Sequence, residues 1–464
     1  MKTPKPIGIL VALAFAIALA PRDLSAAADP ATTKPNVVIF LTDDQGTLDA
    51  NCYGSHDLFT PAMDELARTG VRFTQAYAHY VCCPTRAMLM TGRYPHRGNV
   101  SSWTQGNAQD AAKGRNMHRE EITLAELLKG ADYATGLFGK WHLGAHVDHG
   151  PTQQGFDEFF GHRGGFIHNT NHHFLHGQGF HDLYEGTKEV FAKGSYFPDM
   201  ITQRALTFID QHKDEPFFLY LAFNLPHYPE QPDPKFDERY KDMPMPRQAY
   251  AKVVSTVDDL MGQVLTRLNA LELRENTIVI FMSDNGSSAE DYQIRSDQHS
   301  SGLPKGWNYG ANGGGGNTGT WRGHKAQFYE GGVRVPAIIS WPAKLPQGIV
   351  RDQTITAMDW FPTIAALCEV PLPNVTLDGK SLSDIIASAS APTHNTTLHW
   401  AWQKFWAVRH GEWKLISKGK NLELVNLNDE QPEQKNHFGE QPERVAQLQA
   451  LHDAWVKETP FVSP

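Results

Sequence analysis

Asn36-Val37-Val38-Ile39-Phe40-Leu41-Thr42-Asp43-Asp44 is the stretch that decides the fold. Its apolar residues run without alternation, the pattern of a strand buried on both faces of a parallel sheet. Two acids close it. Phe217 to Phe223 and Thr277 to Met282 repeat the pattern, the first running on to Pro226-His227 and the second ending at Ser283-Asp284-Asn285. A shorter strand, Thr135 to Phe138, feeds Gly139-Lys140-Trp141-His142. Helices are expected between them: Thr60 to Thr69, opened by Pro61 and stopped by Gly70, then Ile122 to Leu128, Ile201 to His212 and the amphipathic Ala249 to Leu271. Strands alternating with helices predict an α/β fold, a sheet covered by helices on both faces. Beyond about residue 345 the texture changes. A helix at Asp359 to Leu367, short strands at Ala407 to Arg409, Trp413 to Ile416 and Leu422 to Leu427, and a last helix at Arg444 to Val456 predict a smaller C-terminal α+β unit, 346–464, after a catalytic unit at 34–345.

In a parallel α/β sheet the loops at the carboxyl ends of strands form the active-site crevice. Asp43-Asp44 and Asp284-Asn285 both sit at such ends, and together they bring four oxygen-bearing side chains towards one point. A carboxylate-rich, all-oxygen set suits Ca²⁺ or Mg²⁺ and not zinc. Either pair alone reads as an acid capping the loop that follows.

Residues 82 to 93 read Cys-Cys-Pro-Thr-Arg-Ala-Met-Leu-Met-Thr-Gly-Arg. Pro84 suits the first position of a helix that Thr91-Gly92 ends, which would set Cys82 just before the helix N-terminus, where N–H groups and the dipole favour an anion. Arg86 lies one turn further on the same side, and its planar fork suits a sulfate or a carboxylate.

Cys82, Pro84, Arg86, Thr91, Gly92 and Arg93 stand in the order C-x-P-x-R-x-x-x-x-T-G-R, which resembles the signature of the type I sulfatases of the alkaline phosphatase superfamily. Gly139-Lys140-Trp141-His142 resembles that family's second signature, His227 its leaving-group histidine, and Lys325 before Tyr329 to Pro336 its ester-binding lysine. The resemblance implies an alkaline-phosphatase-like, large mixed and mostly parallel sheet sandwiched by helices. It implies sulfate ester hydrolysis of the arylsulfatase kind. Cys82 would be oxidised to formylglycine by a formylglycine-generating maturation enzyme, and its hydrate would attack sulfur. One Ca²⁺ would be held by Asp43, Asp44, residue 82, Asp284 and Asn285. Arg86, Lys140 and Lys325 would neutralise sulfate, Asp284 and His142 would take protons, and His227, with Lys325, would protonate the leaving alcohol. One departure stands out: Arg163-Gly164-Gly165 occupies the neighbourhood where some members place a serine. Two rivals remain at this point. One is a phosphodiesterase or phosphonate monoester hydrolase of the same superfamily; the other is a non-catalytic glycan-binding scaffold.

The 464-residue chain has a formal net charge of −9, which argues against non-specific nucleic-acid binding. Lys2 and Lys5 precede an apolar run from Ile7 to Ala20, and Ser25 to Ala28 offer small residues for cleavage. Residues 1–28 thus read as a signal peptide cleaved near 27–28, giving a secreted or periplasmic protein without a stable membrane span. Cys52, Cys82, Cys83 and Cys368 do not make a disulfide scaffold, though an oxidising compartment would permit a Cys52–Cys83 bridge. Six histidines between His162 and His181 read as a long loop near the pocket. With Trp103, Phe166, Tyr292, Trp307 and Tyr309 they suggest a sulfated carbohydrate, because aromatic faces stack on sugar rings; a small sulfate ester is the other candidate.

Overall fold

Each central strand forms because its sequence can be buried on both sides. In the computed structural model, which describes residues 1–4, 34–103, 115–310 and 314–459, the first strand, β1 (Asn36–Asp43), is buried at every position. Val37, Ile39 and Leu41 enter one apolar core and Val38 and Phe40 the other, as the two-residue repeat of a strand requires. Each such side chain contributes about 1.5–3 kcal/mol on burial. Of the expected signal segment, 1–28, residues 5–28 lie outside the described residues.

Of the ten further strands in this sheet, six form its body with β1: β2 (Val71–Tyr77), β3 (Ala134–Lys140), β4 (Glu158–His162), β5 (Phe217–Pro226), β6 (Thr277–Ser283) and β7 (Arg334–Ser340). Their order is β2-β7-β6-β1-β5-β3-β4. The run β6-β1-β5-β3-β4 is parallel throughout, while β7 lies antiparallel to both β6 and β2. The sheet is therefore mixed and mostly parallel, as expected. Beyond residue 345 the chain first returns to this sheet, since Ile349–Arg351 and Ile355–Thr356 pair with β2.

The principal helices are α1 (Pro61–Arg68), α2 (Cys82–Thr91), α3 (Leu124–Lys129), α4 (Phe197–Gln211), α5 (Arg247–Ala270), α6 (Trp360–Leu367) and α7 (Pro442–Glu458). Helices α1, α4 and α5 cover one face and α2, α3 and α6 the other. The C-terminal strands form a separate antiparallel sheet in chain order, β8 (Thr397–Trp402), β9 (Phe405–His410), β10 (Trp413–Lys418) and β11 (Leu422–Asn426). Its docking is polar as well as apolar. Trp400 Nε1 donates to the Ala78 carbonyl at 2.8 Å, and the buried Lys414 ammonium lies 3.0 Å from Glu330 and 3.3 Å from Glu433. Glu330 also pairs with Arg334 at 3.4 Å. All four cysteines are free, so the Cys52–Cys83 bridge does not form. Among the described residues no helix is long and apolar enough to cross a membrane.

Candidate active site

Helix α2 begins two residues earlier than its proline suggests. Val81 is the extended N-cap, Cys82 the first helical residue and Pro84 the third. A proline costs no helix hydrogen bond anywhere in the first turn, because those N–H groups have no intrahelical acceptor. Gly92, at φ 66°, ends the helix in the left-handed region, where glycine carries no Cβ penalty.

The sheet brings the expected acids to this helix start. Register places Thr42 beside Ser283, so the loops after β1 and β6 leave side by side. Asp44 turns into the left-handed region (φ 70°), and its N–H donates to Asp284 Oδ1 at 3.2 Å. Cys82 Sγ lies 3.3 Å from Asp43 Oδ1. Donor atoms of Asp43, Asp44, Cys82 and Asp284 all fall within 4.8 Å of one another. Asn285 completes the group: its Nδ2 donates to Asp44 Oδ1 at 2.6 Å, while its buried Oδ1 has no hydrogen-bond partner. A buried amide oxygen without a donor, on a side chain that touches this carboxylate cluster, fits a hard divalent cation.

Cations ring the acids. Arg86 donates to Asp284 Oδ2 through Nε at 3.0 Å and Nη2 at 2.8 Å. Lys140 Nζ is 2.6 Å from Asp43 Oδ2. Lys325 Nζ is 2.9 Å from Asp44 Oδ2 and 3.1 Å from Glu290 Oε2. Burial opposes the Asp43 charge, but Lys140, His227 and Arg86 hold that carboxyl well below its usual range. Burial pushes Asp44 up to about 7 against the pull of Lys325, and Asp43 and Asp284 add to the rise. Burial, then Asp284 and Asp43, raise the Cys82 thiol well above 9.0. An unmodified thiol here stays protonated at neutral pH and is a poor nucleophile.

The second signature needs its glycine. At Gly139, with φ 122°, a Cβ would stand 1.9 Å from the Ala222 carbonyl oxygen. Lys140 is the last residue of β3, and His142 takes φ 57°. The two do not share a side through extended spacing, as their sequence separation suggests; the left-handed turn at His142 brings its ring into the cavity. His227 Nδ1 lies 2.7 Å from the Tyr228 carbonyl and must donate to it, and Nε2 is 3.7 Å from Asp44 Oδ2. Burial, then Lys325, bring His227 down to about 3. Its Nε2 is therefore a bare acceptor at neutral pH. Lys325 keeps its proton: Asp44 and Glu290 outweigh burial and hold it well above 10.5.

These groups open into a cavity of about 620 Å³ lined by Cys82, His142, His227, Lys325 and Glu290, with Trp103, Phe166, Tyr228 and Tyr292 as aromatic walls. Gly165, from the stretch that departs from the family's serine, lines it too. Of the loop histidines, His176 reaches the cavity, and His162 is buried against Phe197. Trp307 and Tyr309 stack behind Tyr292. Glu290 was not foreseen. It lies in an irregular loop with no motif around it, and only the ion pair with Lys325 reveals it.

A family model described as Sulfatase matches residues 35–370. The chain belongs to the sulfatase family. A second model, N-sulphoglucosamine sulphohydrolase, C-terminal, matches residues 319–458. This sulfatase is 32% identical over 435 residues to arylsulfatase A of Homo sapiens, covering 88% of this chain and 77% of that protein. It is 29% identical over 497 residues to N-acetylgalactosamine-6-O-sulfatase of Bacteroides thetaiotaomicron, covering 90% and 92%. The crystal structure of Ps i-CgsB in complex with k-i-k-neocarrahexaose superposes with a TM-score of 0.77 at 27% identity, over 91% of this chain and 93% of that one. The sulfatase is thus a sulfuric ester hydrolase of the type I family in the alkaline phosphatase superfamily. The family match favours the sulfuric ester hydrolase over the phosphorus-directed hydrolase and the non-catalytic scaffold.

Proposed function

We propose that this sulfatase is secreted or periplasmic and hydrolyses a sulfate ester on a carbohydrate, using formylglycine at position 82 and calcium. The observation that carries this reading is the buried convergence of Cys82 with three carboxylates and three cations at one cavity floor. As formylglycine hydrate, residue 82 would supply an oxygen nucleophile that the buried thiol does not. Asp43, Asp44, Asp284, Asn285 and residue 82 would hold calcium, which would supply positive charge to a bound sulfate.

The chain's own side chains account for the rest. Arg86, Lys140 and Lys325 bind and neutralise the sulfate oxygens, which otherwise repel a nucleophile. Asp284 accepts a proton at its carboxylate, and His142 accepts one from the other side of the cavity. At the leaving-group side Lys325 carries the proton that the departing alcohol needs. His227 Nε2 stands beside it as an acceptor, held in that tautomer by the Tyr228 carbonyl. Of the pair His227 and Lys325 that the family resemblance implies, this reading gives the proton to Lys325. The aromatic walls Trp103, Phe166, Tyr228 and Tyr292 suit sugar rings.

The test is sulfate release across sulfated galactans, fucans, glycosaminoglycan oligosaccharides, an aryl sulfate and a phosphodiester. Release from one glycan class supports the reading. Turnover of the aryl sulfate alone would sink the carbohydrate assignment.

A further inference from the structure

Glu290 is the one acid of the cavity that no proposed step uses. Its Oε2 is fully engaged, by Lys325 Nζ at 3.1 Å and by Ser288 Oγ at 3.0 Å. Its Oε1 has only the Tyr292 hydroxyl, at a long 3.4 Å. An ionised carboxylate can take about four donors, so Oε1 keeps acceptor capacity on the cavity side. The side chain is 25% exposed there. Its carboxylate also lies within 4.8 Å of a His227 ring nitrogen and of an Asp44 oxygen. An alcohol oxygen leaving towards Lys325 therefore brings whatever stands on the neighbouring carbon against Glu290. The Lys325 ammonium 3.1 Å away is the partner that favours the ionised form of Glu290. Glu290 can then only accept a hydrogen bond, and it repels an anion.

We infer that Glu290 is a specificity-determining residue: it accepts a hydrogen bond from a free hydroxyl or amino group on the carbon next to the sulfate ester and rejects a second sulfate at that carbon. The inference rests on the sulfatase reading of this cavity and names the substrate class more narrowly. The substrate is an alcohol monoester with an unsubstituted hydrogen-bond donor beside the ester.

The test compares wild type with Glu290→Gln and Glu290→Ala on catechol monosulfate, phenyl sulfate and catechol disulfate. Alongside run the fastest sulfated sugar from the panel above, its analogue deoxygenated beside the ester, and its analogue sulfated there. Wild type should favour the donor-bearing member of each pair by about tenfold or more in kcat/KM, the scale of a hydrogen bond to a charged acceptor. Glu290→Ala should bring that ratio close to one, and Glu290→Gln should gain activity on the disulfated members. If Glu290 served only to hold Lys325, both members of a pair would lose kcat by one common factor in the variants and the ratio would persist. That result overturns the inference, as does wild-type turnover of the disulfated members at the monosulfate rate. No release from any sulfate would instead remove the sulfatase reading itself, and this inference with it.

Discussion

Stripping the proposed calcium should weaken the affinity of the site for sulfate by about 100-fold. Arg86, Lys140 and Lys325 face Asp43, Asp44, Asp284 and Glu290. With every carboxyl ionised, as a bound cation would make Asp44, three positive groups against four carboxylates leave one net negative charge from the side chains. A divalent cation reverses that to one net positive charge. At an effective dielectric of about 20, each unit of charge about 5 Å from the sulfate dianion contributes about 7 kcal/mol. Two units, screened to roughly a quarter of their sum by solvent and salt at the open mouth, leave about 3 kcal/mol, or about 100-fold in affinity. The assay is calorimetric titration of inorganic sulfate into chelator-treated protein and into the same protein reloaded with calcium. Reloading should tighten sulfate binding by about 100-fold, and Asn285→Ala, which removes the unpartnered oxygen, should raise the calcium needed. Equal sulfate affinity with and without calcium would refute the charge argument.

Lys325→Met should lower kcat/KM by about 10²–10⁴, the usual scale of positioned proton transfer; the loss should be larger for a sugar sulfate than for a nitrophenyl sulfate, whose leaving group needs no proton. Lys414→Met removes the cation that lies 3.0 Å from Glu330 and 3.3 Å from Glu433; urea denaturation should show a loss of about 3–5 kcal/mol, the cost of breaking a buried ion pair. His79 is buried, neither ring nitrogen has a hydrogen-bond partner, and burial and then His96 hold it well below 6.5. A depressed histidine takes its proton in the unfolded chain and not in the folded one. Stability therefore holds above pH 6.5 and is lost as pH falls below it, by about 1.4 kcal/mol for this group between pH 7.5 and 5.5. Denaturant titrations of wild type and His79→Phe at both pH values should show the variant losing about that much less.

Legibility followed burial. The apolar runs of β1, β5 and β6 can only be central strands, so sequence placed them and the acids at the ends of β1 and β6. The antiparallel β7 gives no comparable sign, because its direction depends on pairing with β2 and β6 and not on its own residues. Thr397–Trp402 went unread as a strand, since its place is set by pairing with Phe405–His410. Pro84 misled by two residues because proline is tolerated throughout a first helical turn. Lys140 and His142 were placed in one site for a reason the backbone does not follow: the strand ends between them. Glu290 was invisible because its meaning lies in Lys325, 35 positions along the chain.

The most direct test of the account is the mass of the peptide holding residue 82, measured on preparations of graded activity. The account predicts a loss of about 18 Da at Cys82, sulfate release in proportion to the fraction converted, and no release from Cys82→Ala. A preparation with full activity and an intact Cys82 thiol would contradict it.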